Sequence, residues 1–256
     1  MRFAYAGFDM MLPALRTLTE CGELMKLFTC RVDGDFETNN GVIAAAESVG
    51  APYTLDRITQ LDIDELIEGG CELLISAGYY HRIPVDARLP MVNIHPSLLP
   101  YGRGAWPMPL AILDRLTHSG VTVHKTEESF DTGDILMQRS FELDDDETLE
   151  SFMDKVNALL PDMMRELTSD FGRLWDEARP QGEGEYQAEP DPMDRIITAE
   201  SDAEYADRVL RAFYGYRAYY SDGTDLIPIR RGTAYRSCDS SKGLKLRDGY
   251  IIVVEK

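Results

Sequence analysis

Asn93 and His95 stand two residues apart at the end of the apolar run that opens MVNIHPSLLPYGRGAWP, residues 91–107. Alternate residues of an extended segment share a face, so this pair points away from Val92 and Ile94. Polar groups are costly to bury without partners, and open parallel sheets bind ligands beyond the carboxyl ends of their strands. The pair therefore fits the mouth of a site. A neutral amide such as Asn93 donates a hydrogen bond to an oxygen that gains charge during a reaction, at any ordinary pH. A neighbouring imidazole donates too, and its own charge responds to its surroundings near neutrality. An isolated Asn-x-His is more often hydrogen-bonded structure than a reaction centre, so the rest of the pattern has to decide.

The same stretch continues as Ser97-Leu98-Leu99-Pro100 and Arg103-Gly104, with GVTVH (120–124) and Asp131-Thr132-Gly133 further on. This ordered set resembles the folate-dependent formyltransferases, the group that includes methionyl-tRNA, glycinamide ribonucleotide and amino-sugar formyltransferases. The resemblance implies 10-formyltetrahydrofolate as formyl donor and no metal. It implies that Asn93, His95 and Asp131 are catalytic, Asp131 being preferred to Asp134 because the family aspartate is the one in D-x-G. Transfer of a formyl group to an amine needs stabilisation of the charged oxygen, removal of the amine proton and protonation of the departing folate nitrogen. An amide, an imidazole and a carboxylate supply these. His124 either orders the Asp131 loop or touches reactants. Ser97 is expected to hydrogen-bond within its own loop, since no covalent intermediate is needed.

In relatives the loop equivalent to GYYHRIP (78–84) holds the pterin ring through backbone groups, which carries over to Tyr80, His81, Arg82 and Ile83 as cofactor-binding positions. A plain turn whose aromatics pack is the alternative. Arg103, Gly104 and Trp106 fall on the substrate side. Gly104 permits close backbone approach. Arg103 meets an anionic substrate group or makes an internal salt bridge. Trp106 lines an acceptor pocket or covers the helix beginning at Pro107. His81 and His118 read as structural or surface groups.

Positioning these residues requires a sheet. Strand patterns at Phe3–Ala6, Lys26–Val32, Glu72–Ala77 and Met91–His95 alternate with helix patterns at Leu12–Cys21, Val42–Val49 and from Asp62 to Gly69-Gly70. Such alternation implies βαβ units and an α/β, doubly wound, Rossmann-like sheet. A helix from Pro107 to about Thr117, strands at Gly120–His124 and Asp134–Phe141, and a long helical stretch to Arg179 follow. The acidic run Asp144–Glu147 before that stretch complements a helix dipole better than it holds a metal. Residues 180–194, rich in Pro, Gly and acid, read as a linker between a catalytic domain (1–179) and a small C-terminal β-rich, OB-like subdomain (195–256). That subdomain has a helix over Asp202–Phe213 and short β segments in DLIPIRR, AYRS, GLKL and YIIVVE.

With 256 residues, 44% of them apolar, the chain can bury a proper core. The start MRFAYAGFDMML lacks a signal-peptide pattern, and nothing approaches the ~20 apolar residues of a membrane span. Cys21, Cys30, Cys71 and Cys238 are scattered, as expected of reduced thiols in a cytoplasm. The net charge of −19 is uneven: residues 1–192 carry 15 Lys and Arg against 35 Asp and Glu, residues 193–256 carry 11 against 10. A body this acidic repels polyanions.

Acceptor choice follows by comparison within the group. Where a glycinamide ribonucleotide enzyme has a phosphate loop, this chain has Gly7-Phe8-Asp9-Met10, with an acid in the phosphate position. Where the tRNA enzyme has a basic insertion, Asp33-Gly34-Asp35-Phe36-Glu37 is short and acidic. A formyltetrahydrofolate hydrolase would share the catalytic set but is expected to carry a regulatory domain before its first strand, which here begins at Phe3. The expectation is therefore a small primary amine, foremost a nucleotide-linked amino sugar. Methionyl-tRNA is the alternative, and a non-catalytic folate-binding module a more distant one. Oligomeric state is left open.

Overall fold

Phe3, Ala4, Tyr5 and Ala6 are all fully buried, which makes β1 (Arg2–Gly7) a central strand with both faces covered. In the computed structural model, which describes residues 1–32, 38–236 and 243–254, six more strands join it. They are β2 (Glu23–Phe28), β3 (Tyr53–Thr54), β4 (Leu73–Ala77), β5 (Met91–His95), β6 (His118–Lys125) and β7 (Ile135–Glu142). Their order is β3-β2-β1-β4-β5-β6-β7. The first five run parallel, and β6 turns antiparallel to β5. This is the expected α/β, Rossmann-like sheet.

The intervening helices are α1 (Leu12–Cys21), α2 (Asn40–Ser48), α3 (Gln60–Glu68), α4 (Pro107–Leu113), α5 (Leu149–Ser169) and α6 (Phe171–Asp176). Several boundaries differ from expectation for local reasons. β2 begins at Glu23, three residues early, because Gly22 packs against the Met1 carbonyl and Glu23 falls into register with Arg2. α2 starts at Asn40 because Asp9 receives the amides of Gly41 (3.0 Å) and Val42 (2.8 Å). α3 starts at Gln60 on a capping box in which Thr59 and Asp62 exchange hydrogen bonds. α4 stops at Leu113, short of Thr117, where Arg115 turns left-handed (φ 56°). The long stretch to Arg179 is two helices divided at Asp170.

The chain divides into two compact units, each assembled from three stretches. One holds Met1–Arg103, Gly120–Phe141 and Asp154–Tyr186. Its core on one face of the sheet gathers Ala4, Ala6, Phe28, Ile63, Leu74 and Met91. The other holds Gly104–Ser119, Glu142–Met153 and Gln187–Lys256. The segment expected as a linker is thus divided at Tyr186/Gln187, and its end forms a 3-10 turn, Pro192–Arg195. The second unit contains α7 (Ala203–Ala212), on which α4 packs. Two small sheets complete it, ordered β10-β9-β8 and β11-β13-β12. Their strands are β8 (Ile196–Thr198), β9 (Ala218–Ser221), β10 (Leu226–Ile229), β11 (Gly232–Arg236), β12 (Leu244–Lys245) and β13 (Tyr250–Val254). The C-terminal part is β-rich as expected, with β8 and β9 additional to the strands read from the sequence. The acidic loop 33–37 and Cys238 lie outside the described residues.

Candidate active site

The antiparallel register of β5 and β6 sets Asn93 opposite His124 and His95 opposite Thr122. Directly opposed residues share a face, so four polar side chains converge beside the sheet. The Asn93 Nδ2 group lies 3.2 Å from His124 Nε2 and donates to Asp131 Oδ1 at 3.3 Å. That carboxylate oxygen is also 3.6 Å from His95 Nδ1 and 3.6 Å from His124 Nε2. The structure therefore brings Asn93, His95, His124 and Asp131 around one oxygen atom, while Asp134 pairs with Lys125 at 3.4 Å.

Main-chain carbonyls settle the imidazole orientations. His124 Nδ1 donates to the Lys125 carbonyl (2.8 Å), which turns Nε2 towards Asn93. His95 Nε2 donates to the Gly102 carbonyl (2.8 Å), so its Nδ1 lone pair faces Asp131. Both histidines are buried. Burial pushes the His95 pKa below its ordinary value, against the opposing pull of Asp131 and Gly102, and His124 adds to the lowering. Asp131 Oδ1, 3.6 Å from His95 Nδ1, is close enough to favour the ring electrostatically when it carries a proton. Asp131 itself sits in the left-handed region (φ 55°), which Asp tolerates better than most residues.

The loop after β5 is held from two sides. Ser97 Oγ donates to the Tyr101 carbonyl (2.7 Å), within its own loop as expected. Thr122, fully buried, donates to the Ser97 carbonyl (2.6 Å) and accepts from the Leu99 amide (3.1 Å) and Gln138 Nε2 (2.9 Å). Gln138 Nε2 also reaches the Leu99 carbonyl (2.8 Å). Neither Thr122 nor Gln138 was read from the sequence as part of the site. Thr122 had a signal, since it stands two residues before His124 on the same strand face.

The proposed cofactor loop leaves β4 beside β5, with Ala77 registered on Ile94, and so emerges at the sheet end that carries His95. Tyr80 stacks on buried Phe8 (ring centroids 4.6 Å) and is half exposed. His81 lies edge-on to Tyr79 and Arg82 hydrogen-bonds to the Glu128 carbonyl. Ile83 is buried in the core. Residues 78–90 carry no helix or strand, and the half-exposed Tyr80 ring lies among them.

On the expected substrate side, Arg103 is engaged internally, and with neutral acceptors in place of the salt bridge considered above. Its Nε and Nη2 meet Gln181 Oε1 (3.0 and 2.9 Å), Nη1 meets the Gly184 carbonyl (2.9 Å) and Nη2 the Gly182 carbonyl (3.1 Å). Gly104 has φ 121°, and a Cβ there would lie 2.0 Å from the Gln187 carbonyl oxygen, so only glycine fits. Trp106 packs within the second unit, against Phe213, Tyr216 and the Arg195 guanidinium (4.6 Å). Among the described residues no group of three or more His, Cys, Asp or Glu is placed to hold a metal, and no helix is long and apolar enough to cross a membrane.

Comparison with known proteins gives a consistent result. Residues 42–168 match the formyl transferase family. A methionyl-tRNA formyltransferase from Ehrlichia ruminantium (strain Gardel) is 30% identical over 202 residues, covering 77% of this chain and 65% of that protein. The chain thus spans just under two thirds of that relative's length. Among solved structures, HypX from Aquifex aeolicus in complex with tetrahydrofolic acid has a TM-score of 0.72 at 19% identity, covering 99% of this chain and 43% of that one. A 4-N formyltransferase from Francisella tularensis has a TM-score of 0.67 at 20% identity, covering 89% and 96%. At these identities the structural likenesses establish the fold.

Proposed function

We propose, from the match of residues 42–168 to the formyl transferase family and the similarity to a methionyl-tRNA formyltransferase, that the chain transfers the formyl group of 10-formyltetrahydrofolate to the primary amine of a small molecule, foremost a nucleotide-linked amino sugar. The observation that carries formyl transfer is the convergence of Asn93, His95 and His124 on the Asp131 carboxylate. The donor supplies an activated formyl carbon, held by the backbone of Tyr80, His81, Arg82 and Ile83. Asn93 donates a hydrogen bond to the oxygen that gains charge. His95, kept neutral by burial, offers its Nδ1 lone pair to the amine proton, Asp131 stabilises the ring once charged, and that proton then passes to the folate nitrogen as its bond to the formyl carbon breaks. The Gly102 carbonyl holds the ring in place throughout. His124 fixes the Asn93 amide.

For the acceptor, the supporting observation is Asp9. Its carboxylate fills the N-terminus of α2, receiving two backbone amides and the Thr38 hydroxyl (2.6 Å). A substrate phosphate has no place where a helix N-terminus already carries an anion. This disfavours a ribonucleotide phosphate at that end of the sheet. The acidic body disfavours tRNA. Transfer to methionyl-tRNA is the second reading, favoured by the relatives' names. Cytoplasmic location accompanies either reading.

The test follows release of tetrahydrofolate with a panel of nucleotide-linked amino sugars and other small amines, beside initiator methionyl-tRNA. Turnover of a small amine is expected. Efficient, salt-sensitive formylation of tRNA with no small amine turned over would replace the first reading with the second.

A further inference from the structure

Residues 179–186 run from the edge of β7 to the loop after β5, with contacts on β7, on the Asp131-Thr132-Gly133 loop and on the loop after β5. Arg179 begins it: its main chain exchanges two hydrogen bonds with Ile135 (2.8 and 3.0 Å). Its Nη2 reaches Gln138 Oε1 at 2.7 Å. Gln138 is the side chain that grips Thr122 and the Leu99 carbonyl. Two residues on, Gln181 uses both ends of its amide. Oε1 accepts from Arg103, and Nε2 donates to the Gly133 carbonyl at 2.6 Å. Gly184 then passes so close to Pro100 that a Cβ would lie 2.6 Å from its carbonyl oxygen and 2.7 Å from its Cβ. Tyr186 ends the run, bridged in parallel to Arg103.

We propose that residues 179–186 are a strap that positions the active-site loops, with Gln181 as the positioning residue that ties the Arg103 loop to the Asp131-Thr132-Gly133 loop. The loop positions matter because each carries part of the constellation. Gly102, next to Arg103, anchors His95, and Asp131 stands two residues before Gly133 in a left-handed conformation that its neighbours must maintain. A primary amide suits the junction, since one group must accept from a guanidinium while donating to a carbonyl. A carboxylate does the first and not the second. Arg103 is in consequence a structural cation facing the strap. The positioning role rests on the formyl-transfer reading; the holding of the loops does not.

The experiment compares Gln181→Glu, Gly184→Ala and, as control, Glu183→Gln, an exposed side chain on the same strap. Folding is checked by Tm, amide hydrogen exchange is read over residues 97–103 and 126–134, and kcat and KM for the formyl donor are measured separately. Gln181→Glu is expected to speed exchange in 126–134 at least tenfold, and Gly184→Ala to do so in 97–103. Both lower kcat by roughly 10–100-fold with KM for the donor within about threefold, since small misplacement of reacting groups acts on the chemical step. Glu183→Gln changes neither. Unchanged exchange in folded Gln181→Glu and Gly184→Ala proteins overturns the strap. Faster exchange with unchanged kcat overturns the positioning role. If the wild-type chain formylates no acceptor, the functional reading fails, and the exchange rates still decide whether the strap holds the loops.

Discussion

Asn93 has two amide hydrogens, and His124 and Asp131 take both. Donation to the formyl oxygen therefore means exchanging one of these partners for it, which links the Asn93 amide to the proton state of its neighbours. Asn93→Ala is expected to lower turnover by about 10²–10³ with donor affinity within a few-fold. Asp131→Ala should cost at least as much, having removed the hub of the cluster. Near-normal turnover in both folded variants would refute the assignment. His95 gives a prediction in pH. Its folded pKa lies below the ordinary 6.5 because burial disfavours the charged ring. Below about 6.5 the unfolded chain binds a proton that the folded ring resists, so this contribution to stability is complete above that pH and is lost as pH falls through the folded value. The His95 ring resonances, followed by NMR, should titrate below 6.5. Asp131→Asn removes the charge that opposes burial and should move the inflection lower still; an upward movement would contradict the ion-pair geometry.

At the scale of elements, the hydroxyl of Thr122 latches the turn after β5 with one donated and two accepted bonds. Thr122→Val preserves shape and strands the Ser97 carbonyl and the Leu99 amide in a buried setting. Each orphaned group costs roughly 1–3 kcal/mol, so the denaturant midpoint should fall clearly with an unchanged slope. An unaltered midpoint would mean that water replaces the hydroxyl. β5 was legible to the residue, because its bounds coincide with an apolar run closed by Pro96, and so was the pairing of Asn93 with His95 on one face. The starts of α2 and α3 were not, because each is set by a cap, one from distant Asp9 and one from Thr59 just upstream. Periodicity reports where a helix buries its face, not where its first amides find acceptors. The same limit applies to 179–186. Its Pro, Gly and acid content matches a linker, whereas its role depends on Gln181 and on a glycine pressed against Pro100, neither visible in composition.

For the whole molecule, charge distribution bears on the acceptor. The basic residues that would serve a polyanion are concentrated in the near-neutral C-terminal part, where Arg247 already pairs with Asp202 (2.6 Å) and Arg231 with Glu150 (3.7 Å). Exposed pairs of this kind hold their partners weakly, by ~1 kcal/mol or less. Salt is the cleaner probe. A small amine should show kcat/KM changing only a few-fold between 50 and 200 mM salt. A tRNA acceptor gripped through six or more phosphates would lose on the order of 10³-fold or more over that range. The division of the chain has a consequence of another kind. The second unit draws Gly104–Ser119 and Glu142–Met153 from the middle of the sequence, and Trp106 sits among Phe213, Tyr216 and Arg195. The C-terminal stretch Gln187–Lys256 is therefore no cassette. Gene fusion or recombination at residues 180–194 would exchange a fragment whose core stays behind with the donor, and residues 195–256 expressed alone should give the narrow amide dispersion of an unfolded peptide.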